Sequence, residues 1–183
     1  QAAYLDDCGT CDDFHFNDCI DLTFYLHGGA NLISFPALPE DLSVSSIFDE
    51  CMDEDGEGML GEGVGTVIIN GTWIGSLTHV DQEDGYWVIL NESCDLHVDD
   101  AIPVNHDDDG EVVYDLGYGP NLVSYSHMES QGISEGLGDA QSSILAVLGE
   151  GQAALNTVDG WVGGLLAFES QHGYWILALE DMI

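Results

Sequence analysis

Apolar and polar residues alternate in short runs along this chain, and the runs come in two sets. "IDLTFYL" (20–26) is apolar at every second position, the period of a half-buried β-strand. A turn at Gly28 and Gly29 follows, and then the strand "NLISF" (31–35). "PEDLSVSSIFDECM" (39–52) has acidic residues near its start and Val44, Ile47 and Phe48 at helical spacing, so a short helix is predicted there. Strands are predicted at 64–69, 72–78 and 85–91, with Asn70 and Gly71 as a hairpin turn and 94–98 as a closing strand. In the second half, "VVYDL" (112–116) and "NLVSY" (121–125) read as the counterparts of the first two strands. "SEGLGDAQSSILAVL" (134–148) reads as a glycine-interrupted counterpart of the helix.

The two sets are copies. "LGEGVGTVIINGTWIGSL" (60–77) returns 88 residues later as "LGEGQAALNTVDGWVGGL" (148–165), and the same offset carries "GYWVIL" (85–90) onto "GYWILA" (173–178). "GANLISF" (29–35) matches "GPNLVSY" (119–125) at an offset of 90, a two-residue difference that a surface loop tolerates. The fold class is therefore mainly β with some α+β character: two tandem homologous β-rich modules, each with one short helix, behind an extended N-terminal arm. The expected boundaries are an arm over 1–19, module 1 over 20–101, an acidic linker over 102–110 and module 2 over 111–183. Modules of this size hold only modest cores, so the two are expected to pack on one another.

Composition adds an unusual surface to this plan. Hydrophobic residues make up 45% of the chain, with seven Tyr, six Phe and four Trp, which suits a folded protein. Yet 35 Asp and Glu face no Lys or Arg at all, where an average chain of this length has roughly 20 basic residues. Phosphate backbones and anionic lipid faces are repelled, which excludes nucleic-acid binding. "GEGVG" sets a carboxylate where a phosphate loop needs room for an anion, and no lysine exists to serve one. The charge points instead to cations, calcium above all, or to seawater-like salt, and it also removes every site for trypsin-like proteases. No apolar run reaches 18 residues, so no membrane insertion is expected. Residue 1 reads as a mature end from which a leader has been removed. Five cysteines without zinc-type spacing favour an exported, oxidised protein.

Several residue groups carry candidate chemistry. Trp73, Trp87, Trp161 and Trp175 all fall at repeated positions beside Tyr86 and Tyr174, which a small core demands and a sugar-stacking platform would also use. Glu62 and Glu150 sit between glycines, which suits a carboxylate folding onto backbone N–H groups in a tight bend; a calcium ligand is the other reading. Asp53, Asp55 and Glu57 in "DEDGEG", and Asp107, Asp109 and Glu111 in "NHDDDGE", alternate around a glycine as in the first half of an EF-hand loop, and are the candidate metal ligands. Cys51 occupies the first ligand position of one such loop and Leu116 the twelfth of the other, so both motifs are partial. The seven histidines show no HxH or HExxH spacing, no catalytic residues are assigned, and an enzyme is not expected. Asn70 and Asn91 are glycosylation candidates in Asn-Gly-Thr and Asn-Glu-Ser. Cys51 and Cys94, whose second-copy counterparts are not cysteines, are expected to form a bridge within module 1. Cys8 and Cys19 can close a loop in the arm, leaving Cys11 as a candidate for an intermolecular bond, with other pairings open.

The blocks "NLISF", "LGEG", "WIGSL" and "GYW", in this order and repeated, resemble a duplicated module of large secreted and cell-surface bacterial proteins, in which "GWNLIS" precedes "GEG", "W-x-G-S-L" and "GYW". Gly29-Ala30-Asn31 and Gly119-Pro120-Asn121 replace the tryptophan of the first block here, and Gly164 replaces the serine of the third. The arm's "DDCGTCDD" is similar to the Cys-Asp repeats that accompany such modules and resemble calcium-binding stalks, which implies Asp6, Asp7, Asp12 and Asp13 as cation ligands. The resemblance implies an extracellular structural or adhesive role without a reaction. The expectation is a secreted or cell-surface protein that self-assembles head to tail into a filament or layer, by donation of an N-terminal strand to module 2 and with calcium as its cofactor. The partner is then the chain itself; the alternative is a carbohydrate-binding adhesin module whose partners are glycans.

Overall fold

The computed structural model describes residues 4–5, 11–12, 19–103 and 112–183. In the arm, β1 (Tyr4–Leu5) pairs antiparallel with β2 (Cys11–Asp12). Module 1 runs through β3 (Ile20–Leu26), β4 (Gly29–Ile33), β5 (Ala37–Leu38), α1 (Val44–Ile47), β6 (Gly58–Leu60), β7 (Gly65–Ile69), β8 (Thr72–Gly75), β9 (Tyr86–Leu90) and β10 (Cys94–Pro103). Module 2 runs through β11 (Gly119–Val123), β12 (Gln131–Gly132), α2 (Ile133–Leu137), a 3-10 turn (Gly138–Ser143), β13 (Ile144–Gly149), β14 (Gln152–Thr157), β15 (Gly160–Gly163), β16 (Ala167–Phe168) and β17 (Tyr174–Ala178). The molecule is mainly β, as its alternation requires.

Each module is built on one five-stranded antiparallel sheet, ordered β4-β9-β6-β7-β8 in the first and β11-β17-β13-β14-β15 in the second. The topologies are the same, so the repeated sequence encodes a repeated fold. The hairpin between β7 and β8 turns at Asn70 and Gly71, with Ile69 opposite Thr72 and both turn residues at positive φ (51° and 69°). That turn matches the twist of its strands, and Asn-Gly is the pair that tolerates it best. The repeated asparagine does the same work in each copy. Asn31 Oδ1 accepts from the His27 N–H and its Nδ2 donates to the His27 carbonyl, both at 2.8 Å. Asn121 does the same to Gly117 at the same distances, so one side chain closes the bend that leads into each edge strand.

Three expectations are corrected. The helix expected over 39–52 shrinks to the single turn of α1. The helix expected over 134–148 ends at Leu137 and passes through the 3-10 turn, and "ILAVLG" becomes β13, hydrogen-bonded on both sides by β14 and β17. A short apolar run fits a buried strand as well as a buried helix, and an open slot in the sheet decides the matter. The equivalent slot in module 1 takes β6, a strand too short for its alternation to predict. Finally, 112–116 does not form a strand: it makes one bridge, Leu116 to Met182. Its counterpart β3 pairs with β10 from Ile20 to Leu26, so the difference lies in the partner.

Among the described residues the two modules have separate cores. One cluster joins Leu22 and Phe24 of β3, Leu96 and Val98 of β10, Val44 and Ile47 of α1, and Met59, Ile68, Tyr86 and Val88 of the five-stranded sheet. The other joins Ile133, Ile144, Val147, Ala154, Phe168, Tyr174 and Ile176. Cys51, at the end of the helical turn, bonds Cys94 at the start of β10 as expected, and so ties the closing strand to the core it covers. Cys19 is disulfide-bonded as well; its expected partner Cys8 lies outside the described residues.

The Cys51–Cys94 bond spans 43 residues of module 1. Cys51→Ala with Cys94→Ala is expected to lower the stability of module 1 by about 2–4 kcal/mol, through the larger entropy of the unfolded chain. Hydrogen exchange resolved by peptide will read loss of protection in β3 and β10 ahead of β13 and β17. Equal loss in both modules would mean that they unfold as one unit.

Candidate functional site

The repeated glutamates form the junction between the modules. Glu62 stands at the β6–β7 hairpin, where Gly63 supplies the positive φ (72°), and Glu150 stands at the matching β13–β14 hairpin beside Gly151 (69°). Neither carboxylate folds onto its own bend. Glu62 Oε2 accepts from the Leu122 N–H of module 2 at 2.7 Å, and Glu150 Oε2 accepts from the Leu32 N–H of module 1 at 2.9 Å. The favoured reading, a carboxylate on backbone N–H groups, therefore has the right chemistry and the wrong partner.

Three further contacts come in the same reciprocal pairs. The Ser34 N–H donates to the Gln171 carbonyl at 3.0 Å, and the Ser124 N–H to the Glu83 carbonyl at 2.9 Å. Gly173 N–H donates to the Leu32 carbonyl and Gly85 N–H to the Leu122 carbonyl. Ser34 Oγ donates to the His172 carbonyl at 2.7 Å, and Ser124 Oγ to the Gln82 carbonyl. The glycine of each "GYW" is what lets these chains meet: a Cβ on Gly173 would lie 2.6 Å from the Ile33 carbonyl oxygen, and one on Gly85 2.6 Å from that of Val123. The serine of "NLxS" and this glycine are visible as repeated letters, but nothing along the sequence says that they touch.

On one side of the junction lies a cleft of about 490 Å3, lined by His27, Glu150, Gln152, Glu169 and His172 among others. His27 Nε2 donates to Glu150 Oε1 at 2.7 Å and its Nδ1 faces the Gly28 carbonyl at 2.9 Å. Only the imidazolium donates from both nitrogens, so the Gly28 carbonyl and then the Glu150 carboxylate hold the His27 pKa above its ordinary value. Glu150 thus uses one oxygen on the partner module's backbone and the other on the His27 imidazole. The counterpart of His27 in module 2 is Gly117, so Glu62 has no imidazole at the matching place. Instead Asp84 stands nearby, its pKa raised by burial and by the charges of Asp81 and Glu62.

The four tryptophans divide by position. Trp73 and Trp161 pack against the two cores, while Trp87 and Trp175 lie half-buried on the outward side of β9 and β17. Tyr86 and Tyr174 are core residues whose hydroxyls accept the Asp81 and Glu169 N–H groups at 2.7 and 2.8 Å.

Of the candidate metal ligands, Asp53, Asp55 and Glu57 are described. Glu57 is buried, and its carboxylate accepts from three backbone N–H groups, those of Asp53, Glu54 and Asn91. Asp55 is exposed and accepts from the Gly71 N–H; the Asp53 side chain is exposed. Among the described residues no three His, Cys, Asp or Glu side chains are grouped to hold a metal ion. Asp6, Asp7, Asp13, Asp107, Asp109 and Glu111 lie outside the described residues, as does the Asp12 side chain. Asn70 and Asn91 are both exposed, and Asn91 Nδ2 donates to Glu54. Comparison with family models, with curated proteins and with solved structures gives no match.

Glu150→Gln removes the charge from a partly buried acceptor and is expected to cost about 1–2 kcal/mol in urea unfolding. Gly173→Ala is expected to cost about as much or more, because the obstacle is backbone. The His27 pKa is raised in the folded state, so its contribution is complete below about pH 6.5 and is lost as pH rises through the raised value. NMR titration of His27 will read that value, and Glu150→Gln will bring it down. An unchanged His27 titration in Glu150→Gln would remove the pair from this account.

Proposed function

We propose that this chain is a structural protein which joins further copies of itself head to tail, outside the cell or on its surface, in a filament or layer stabilised by calcium. The observation that carries the reading is the unequal covering, among the described residues, of two equivalent half-cores. In module 1, β10 pairs along β3 and buries Leu96 and Val98 beside Phe24 and Leu22, with Ala101 and Leu26 buried along the same two strands. In module 2, Val112, Tyr114 and Leu116 stand at the equivalent positions. Beside them an apolar groove of about 720 Å3 runs past Tyr125, Phe168 and Met182. A strand is the occupant such a groove fits, since 112–116 offers backbone groups as well as apolar side chains. The arm holds two short apolar-containing segments, "AAYL" and "DFHFN", that suit it. Donation from one copy to the next is head-to-tail and open, so it propagates.

The rival reading is a glycan-binding adhesin, which Trp87 and Trp175 favour because each presents part of its ring to solvent. Glycan titration followed by tryptophan fluorescence separates the two: a stacking platform must respond.

Deleting residues 1–19 is expected to yield monomers in which both modules remain folded; filaments from the truncated chain would place the contact elsewhere. Thirty-five carboxylates without a basic residue repel one another, and calcium that binds the folded form stabilises it by mass action. The melting temperature is therefore expected to be higher in calcium than in EDTA at matched ionic strength. Equal values would leave plain salt tolerance and no calcium site.

A further inference from the structure

The outward sides of the two five-stranded sheets carry no charge. In module 1 the residues that point away from the core include two cross-strand pairs, Leu60 with Trp87 across β6 and β9 and Val67 with Ile74 across β7 and β8. In module 2 the residues 88 positions on form the same two pairs, Leu148 with Trp175 and Leu155 with Val162. Every other outward strand position in both sheets is Gly, Ala, Pro, Thr, Leu or Ile. Ile74 and Val162 remain 52% and 51% exposed. On a chain with 35 carboxylates, two sheet faces without one are surfaces on which apolar contact costs no desolvated charge.

We propose that these faces are the lateral contacts between copies of this chain, which bundle the head-to-tail filaments side by side. The proposal rests on the filament reading and adds to it where one filament meets the next. The chemistry of the faces selects a second copy over other occupants. A glycan needs polar groups around its hydroxyls, and the faces offer only Thr72 and Thr157 beside the tryptophans. A cationic partner finds no carboxylate on them, and an anionic lipid surface is repelled by the whole molecule. A second copy brings an equally uncharged face, and its carboxylates stay in water at the rim.

Size decides how such contacts act. Five strands about 4.8 Å apart and five residues at about 3.3 Å each give roughly 400 Å2 of face per module. A stable pair of proteins buries about 800 Å2 on each partner, so one face alone holds two free monomers weakly. Repeated along a filament, the same contact becomes effectively intramolecular and strong. Like charges oppose it, so bundling should grow as salt shortens the screening length from about 8 Å at physiological strength to about 3 Å at 1 M.

The test uses the full chain carrying Ile74→Asp and Val162→Asp, with circular dichroism to check the fold, read by electron-microscopic filament width and by sedimentation velocity in low and molar salt. The expected result is wild-type bundles that thicken with salt, and variant filaments of unchanged length and single width, with lateral association weakened at least about a hundredfold. Wild-type filaments that stay single in molar salt, or bundles of unchanged width in the variant, overturn the proposal and leave head-to-tail growth standing. Absence of filaments counts against head-to-tail growth; salt-dependent wild-type dimers lost in the variant would still support the faces as the contact. Monomers under every condition overturn both. If the variant misfolds, Ile74→Ser with Val162→Ser replaces it and is expected to narrow the bundles as well.

Discussion

Two carboxylates exchanged between modules are the contacts on which the junction depends. β4 and β11 each have one hydrogen-bonded neighbour in their own sheet, so each presents an open edge of backbone groups to the other module. Glu150 and Glu62 reach those edges at Leu32 and Leu122, and the Gly173 and Gly85 amides take the carbonyls of the same two leucines. An edge that would otherwise recruit a foreign strand is thereby closed from within. Because the exchange is reciprocal, one short motif written twice specifies both halves of the contact, and it orients two cores that have no side chain in common.

The same device recurs elsewhere in this acidic chain. Without Lys or Arg, backbone N–H groups take the place of basic side chains. Glu57 accepts three of them in a buried site, and Asp41, Asp81 and Asp181 accept from Ser43, Gln82 and Tyr118. Hydrogen bonds to the charged form favour it: the Asp41 carboxyl lies below the ordinary aspartate value chiefly through the Ser43 amide, and the Asp81 carboxyl chiefly through the Glu83 side chain and then through the Glu83 and Gln82 amides. His27 is a side chain that can supply a positive charge when protonated, and it stands at the exchanged Glu150. The outward faces of the two five-stranded sheets stay free of carboxylates.

The modules differ in what covers their cores. β10 covers the first core and is held there by Cys51–Cys94, while among the described residues no strand runs along 112–116, which lines an apolar groove. Two equal modules with two equal coverings would offer no such opening. The proposed assembly takes its direction from this inequality, and its lateral order from the faces the modules keep alike.

Alternation at 20–26 and 85–91, the Asn70-Gly71 turn and the repeated blocks made the β-rich, duplicated plan legible in the sequence, because period, turn geometry and repetition are local properties. So was Cys51–Cys94, since both cysteines lack second-copy counterparts. The acidic loop was legible as a cluster and misleading as a site: whether Glu57 faces an ion or three amides depends on where Asn91, 34 residues on, brings its backbone. The strand at 144–149 was hidden because a short apolar run carries no period of its own. The partners of Glu62 and Glu150 lie 60 residues ahead and 118 residues behind. Sequence alone determined that a carboxylate sits in each glycine-flanked bend; only the packing of one module against the other decided which amide it meets, since a contact between distant segments is fixed by how their faces fit and not by any interval along the chain.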